Sequence, residues 1–98
     1  MELDDDRSPA AWLTLRELDQ AECCAKGSAF RAFKRIETQW TQGRDYQVLH
    51  HDDDRAAIAR WREAGRIYAS TVNLLLLSPP LARAVRDQMR RMTTDPAE

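Results

Sequence analysis

Apolar residues recur at helical spacing in four stretches of the chain and alternate with polar ones in a fifth. Leu15, Leu18 and Ala21 follow Thr14, and Thr14-Leu15-Arg16-Glu17 fits a capping box. In that motif the threonine hydroxyl and the glutamate carboxylate satisfy each other's exposed backbone N–H groups. A first helix is therefore expected over 14–23. Phe30, Phe33, Ile36 and Trp40 are spaced 3, 3 and 4 apart, which lines them along one face of a second helix over 26–40. Gly43, suited to the left-handed backbone past a helix C-terminus, ends it. From Asp45 to His50 the pattern alternates, with Tyr46 and Val48 on one side and Gln47 and Leu49 on the other, so a short strand follows.

Asp52 or Asp53 is placed to cap a third helix reaching about residue 64, with Ile58 and Trp61 on its apolar side and Gly65 as its stop. Residues 66–77 are expected to form a strand, although a helix starting at Ser70 fits them too. Ser78 and Pro79 stand where an N-cap and a first helical residue belong. In the last helix Leu81, Val85, Met89 and Met92 recur at spacings of 4, 4 and 3. The acidic start 1–8 and the tail 93–98 are expected to be disordered, leaving 9–92 as one domain. The fold class is mainly α with a small two-stranded β element, that is, α+β.

Composition narrows the class further. A chain of 98 residues holds one modest core, so self-association would help to stabilise it. With 43% hydrophobic and 32% charged residues the chain reads as an ordinary soluble protein. The longest apolar run, Leu74-Leu75-Leu76-Leu77, is cut short by Pro79-Pro80, far below the roughly 20 residues a membrane span needs. Met1-Glu2-Leu3-Asp4-Asp5-Asp6 is acidic, unlike the basic start of a signal peptide, so a cytoplasmic location is expected.

Net charge is −1, which does not favour nucleic acid, but the charges are segregated. Lys26, Arg31, Lys34, Arg35 and Arg44 face only Glu37 within 26–44, and Arg83, Arg86, Arg90 and Arg91 crowd the last helix. Acids gather as Asp4-Asp5-Asp6 and Asp52-Asp53-Asp54. Such segregation can give a nearly neutral protein one basic face, although solvation of helix surfaces produces the same pattern.

The stretch 15–36, LRELDQAECCAKGSAFRAFKRI, carries the functional inference. It resembles the helix-turn-helix of winged-helix and excisionase-like bacterial regulators. The resemblance implies that Leu15, Leu18 and Ala21 form the inner face of the first helix and that Ala29, Phe30 and Phe33 pack inward from a recognition helix. Lys26, Ser28, Arg31, Lys34 and Arg35 are then free for the major groove and its flanking phosphates, with Arg44 adding to the basic surface. Physically, a major groove admits one helix, whose basic outer face reads base edges and neutralises phosphate. The stretch departs from the family in three places: Asp19 replaces a small apolar residue, Cys23 the turn glycine, and Ala25 the serine or threonine cap. The segments starting at Gly43 and Gly65 are expected to supply the two strands of a wing, with the third helix inserted between them.

Other constellations point away from catalysis. Cys23-Cys24 and His50-His51 are zinc-ligand types, but adjacent side chains on a helix diverge by about 100° and rarely chelate one ion. Asp52-Asp53-Asp54 suits a helix start better than a metal. With three scattered glycines there is no phosphate-cradling loop, and no Ser-His-Asp or Glu-x-x-His motif is present. No enzyme activity, cofactor or metal is expected. The expected function is a sequence-specific DNA-binding transcriptional regulator, with double-stranded DNA as partner. It acts as a homodimer joined through Leu81, Val85, Met89 and Met92, although the same narrow stripe also suits packing in the chain's own core. The alternative is a protein-interaction module or inhibitor with a degenerate helix-turn-helix. Its anchors would be Trp12, Trp40 or Trp61, of which Trp12 is the one expected to be exposed and Trp61 to be core.

Overall fold

The structure, a computed structural model, describes residues 12–93. The expectations for the acidic segment 1–8 and for residues beyond 93 lie outside them. Along the chain run β1 (Leu13–Thr14), α1 (Leu15–Ala21), α2 (Ser28–Ile36), a 3₁₀ turn (Glu37–Gln39), β2 (Tyr46–Leu49), α3 (Arg55–Glu63), β3 (Leu74–Leu77) and α4 (Pro79–Thr93). Among the described residues the fold is α+β, with four helices and a small antiparallel sheet. No helix among the described residues is long and apolar enough to cross a membrane.

The sheet has three strands in the order β1-β3-β2, one more than the sequence pattern suggested. The extra strand is the two-residue β1, too short to show alternation, which pairs Leu13 with Leu77 and Thr14 with Leu76. The leucine run makes sense as the central strand. Leu74 and Leu76 join Trp12, Ile58 and Ile67 on one side, while Leu77 joins Leu18, Phe33 and Val85 on the other. Alternate residues thus enter two different cores, so an unbroken apolar stretch is what a strand covered on both faces requires.

Residues 66–73 are not part of that strand, which corrects the expected span 66–77. Part of this limb is tied instead to the residues that open and build the first helix. Thr14 Oγ1 donates to the Arg66 carbonyl at 2.5 Å, and Arg16 donates to the Gly65 carbonyl. A wing strand does not begin at Gly65. β2 pairs antiparallel with β3, and the whole segment 50–73, α3 included, is inserted between them.

The capping box forms as the sequence implies: Glu17 N donates to Thr14 Oγ1 at 3.1 Å, and Thr14 N to Glu17 Oε1 at 2.9 Å. α4 also starts where expected, with Leu81 N donating to Ser78 Oγ at 3.4 Å. At α3 the N-cap position falls on Asp54, not on Asp52 or Asp53, and no side-chain cap bond is made there.

Two expectations about burial are corrected. Leu81, Val85 and Met89 are at most 1% exposed and pack into the core shared with α1 and α2, with Met92 partly buried against it. Of the two readings of this stripe, packing in the chain's own core is the one observed. Trp12, expected to be exposed, is buried with Ile58 and Ile67, and Trp61 packs against the same cluster.

A candidate nucleic-acid interface

α2 rests mainly on α4. Its buried residues are Ala29, Ala32, Phe33 and Ile36, with two alanines allowing close approach and Phe33 meeting Tyr46 edge-on at 5.0 Å between ring centroids. Successive helical side chains are rotated by about 100°, which places Arg31, Lys34 and Arg35 on the opposite face. All three are exposed. Phe30 falls at the edge of the inner face, 48% exposed, which corrects its expected inward packing.

The start of α2 is held by a residue from the preceding helix. Asp19 is 1% exposed; its Oδ1 accepts Ala29 N–H at 2.7 Å, and its Oδ2 accepts Gly27 N–H at 3.2 Å and the Tyr68 hydroxyl at 2.6 Å. A buried carboxylate is costly unless donors surround it, and here three do. The sequence departures at 19 and 25 are thus linked. Ala25 offers no capping hydroxyl, and Asp19 caps α2 from a distance, with Gly27 taking the left-handed N-cap conformation at φ 95°. Cys23, in place of the turn glycine, adopts the same region at φ 56°.

The remaining expected contacts divide. Ser28 opens α2 half-buried and accepts from Arg31 Nη2 at 3.5 Å. Lys34 pairs with Glu37 at 2.7 Å and lies 6.0 Å from the Phe30 ring centre. Arg35 makes no hydrogen bond or ion pair among the described residues. Arg44, in the turn before β2, is exposed and lies 3.5 Å from Asp45. Lys26 precedes the helix and is turned toward the insertion: its Nζ donates to Ser70 Oγ at 2.7 Å and sits 5.1 Å from the Tyr68 ring centre.

Cations that looked equivalent in sequence are committed elsewhere. Glu22, just past α1, accepts Arg86 Nε at 2.7 Å and Arg90 Nη2 at 3.0 Å, fastening α4 to the turn before α2. The Arg90 bond, followed by the Arg86 bond, holds the Glu22 carboxyl below its ordinary range, and Arg90 is raised in return. Arg66 grips Glu17 through Nε at 2.6 Å and Nη2 at 3.0 Å, donates to the Trp12 carbonyl at 2.8 Å, and stacks 4.3 Å from the Trp61 ring centre. Sequence reasoning missed Asp19, Arg66 and Tyr68. Only Asp19 left a signal, a charge at a position whose neighbours are apolar.

Compared with family models, curated proteins and solved structures, the chain matches none of them.

Proposed function

We propose that the protein is a sequence-specific DNA-binding regulator that lays α2 in the major groove. The observation that carries this reading is the outer face of α2. Arg31, Lys34 and Arg35 stand exposed on a helix whose start is fixed by Asp19. A helix held at its N-terminus, with cations outward, has what base reading and phosphate neutralisation require. The order strand, helix, turn, helix, then an antiparallel pair supports a winged-helix-like arrangement, with the insertion 50–73 where a simple wing has a loop. Two copies on a palindromic site would double the contacts, through a surface other than the buried α4 stripe.

Fluorescence anisotropy with a labelled random-sequence duplex at two salt concentrations tests this. Binding that falls steeply with salt supports it, and after operator selection Arg31→Ala should erase the preference for that operator. Absence of binding at low salt sinks it.

A second reading, a protein-interaction module, rests on Phe30. An aromatic ring half open to solvent amid cations suits a partner's hydrophobic pocket as well as a thymine methyl. The three tryptophans no longer support that reading, because Trp12 is buried and Trp40 and Trp61 are partly so.

A further inference from the structure

A depression of about 230 Å³ opens between α1, the start of α2 and the limb 67–75. Leu15, Phe30, Ile67, Leu74 and Leu75 give it an apolar lining. Arg16, Lys26, Ser70 and Asn73 are among its polar groups, and the Asp19 carboxylate lines it as well.

The two cations are the informative part. Arg16 lies 5.7 Å and Lys26 5.1 Å from the centre of the same Tyr68 ring, so both converge on one side chain of the pocket. Neither has a carboxylate within ion-pair distance among the described residues. The acid nearest to hand, Asp19, has its oxygens occupied by Gly27, Ala29 and Tyr68. Arg16 donates to the Gly65 carbonyl, and Lys26 uses one of its three N–H bonds on Ser70. Asn73 accepts His51 N–H with Oδ1 at 2.9 Å, which leaves its amide hydrogens to donate. Two cations beside one tyrosine ring, neither in an ion pair among the described residues and both bordering an apolar wall, give the pocket a definite chemical preference.

We infer that this pocket binds a small monocarboxylate with a hydrocarbon or aryl body. The carboxylate lies against Lys26 and Arg16, and the body against Leu15, Phe30 and Leu75. The apolar lining favours such a molecule over bare phosphate, whose remaining oxygens would be desolvated against leucine. Bound there, it touches Gly27 at the N-cap of α2 and Phe30 in its first turn, and so acts as an effector of that helix. Only this last consequence rests on the DNA reading; binding itself does not.

The test is a DNA-free titration of the isotope-labelled full chain with isobutyrate, phenylacetate and naphthylacetate, followed by amide chemical shifts. Phenylacetamide serves as the uncharged comparator. The expected result is saturable shifts for at least one carboxylate, centred on Leu15, Lys26, Phe30 and Asn73. Phenylacetamide, and phenylacetate on Lys26→Gln, should each bind about tenfold more weakly than phenylacetate on the parent. The shift map of ligand-free Lys26→Gln checks that the variant is folded. Should that variant not fold, the amide comparison on the parent chain decides. Shifts centred elsewhere, equal affinity for acid and amide, or no saturable shift with any of the three acids overturns the proposal. Failure here with intact DNA binding would leave the interface reading untouched, and the reverse outcome would remove the effector role alone.

Discussion

The hydroxyl of Tyr68 donates to Asp19 at 2.6 Å, joining the segment inserted between β2 and β3 to the carboxylate that caps α2. One side chain thus receives bonds from two parts of the chain that lie far apart in sequence. Arg66 and Glu17 repeat the arrangement two residues earlier on each segment, with the capping-box glutamate also serving as ion-pair partner. The insertion is therefore fastened to α1 through residues that already organise the helix starts.

Asp19→Ala should remove two backbone acceptors at the start of α2 and strand the Tyr68 hydroxyl. Loss of a cap costs about 1 kcal/mol, and an unsatisfied partly buried polar group adds about 2, so a destabilisation of roughly 3 kcal/mol is expected. Urea denaturation of the variant measures it. A loss of less than about 1 kcal/mol, within the range of an ordinary exposed cap, would show that Asp19 does not organise the turn.

The same bond predicts an alkaline dependence. Burial, and then the hydrogen bond to Asp19, push the Tyr68 phenol up to about 12 from an ordinary 10. The folded state thus favours the neutral phenol. Its contribution is complete below pH 10 and is lost as pH rises through about 12. Tyr68→Phe should lower stability at neutral pH by about 1–2 kcal/mol and lose this share of the alkaline fall. Parallel pH series of denaturation would settle it; identical alkaline slopes in parent and variant would contradict the assignment.

At the acid end Glu22 plays the opposite part. Its carboxyl is held low by Arg90 and Arg86, so the folded state favours the charged form. That stabilisation is present above the ordinary carboxylate range and disappears as pH falls through the lowered value. Glu22→Gln should weaken the attachment of α4 to the turn at neutral pH and flatten the acid limb of the stability profile. Hydrogen exchange at the C-terminal half of α4 is a local readout, and unchanged protection there would argue against the clamp.

These networks explain what the sequence disclosed and what it concealed. Local features were legible: the capping box at Thr14 and Glu17, the start of α4 at Ser78 and Pro79, and the alternation of β2 all depend on residues a few positions apart. Long-range features were not. The leucines of β3 carry no periodicity because both faces are covered, so the strand's limits could not be separated from the irregular limb before it. Phe30 and Phe33 lie three apart and look equivalent, yet Ala29 and Ala32 set the phase of α2 and leave Phe30 at its edge. Asp19 stood out only as a misplaced charge. Its role depends on backbone N–H groups of a later helix and on Tyr68, 49 residues away.

The division of the cations yields the last prediction. Arg35 is exposed without a protein partner among the described residues, whereas Arg86 is bonded to Glu22. If α2 meets DNA, Arg35→Ala should weaken binding on all sequences alike and lower the salt slope by about 1, with a stability change within about 0.5 kcal/mol. Arg86→Ala should do the reverse, costing stability through the loosened α4 while leaving the salt slope near that of the parent. Measuring affinity against salt and denaturation for both variants separates the two roles. If Arg86→Ala lowered the slope and Arg35→Ala did not, the DNA-facing surface would lie on α4, and the assignment of α2 as the reading helix would be wrong.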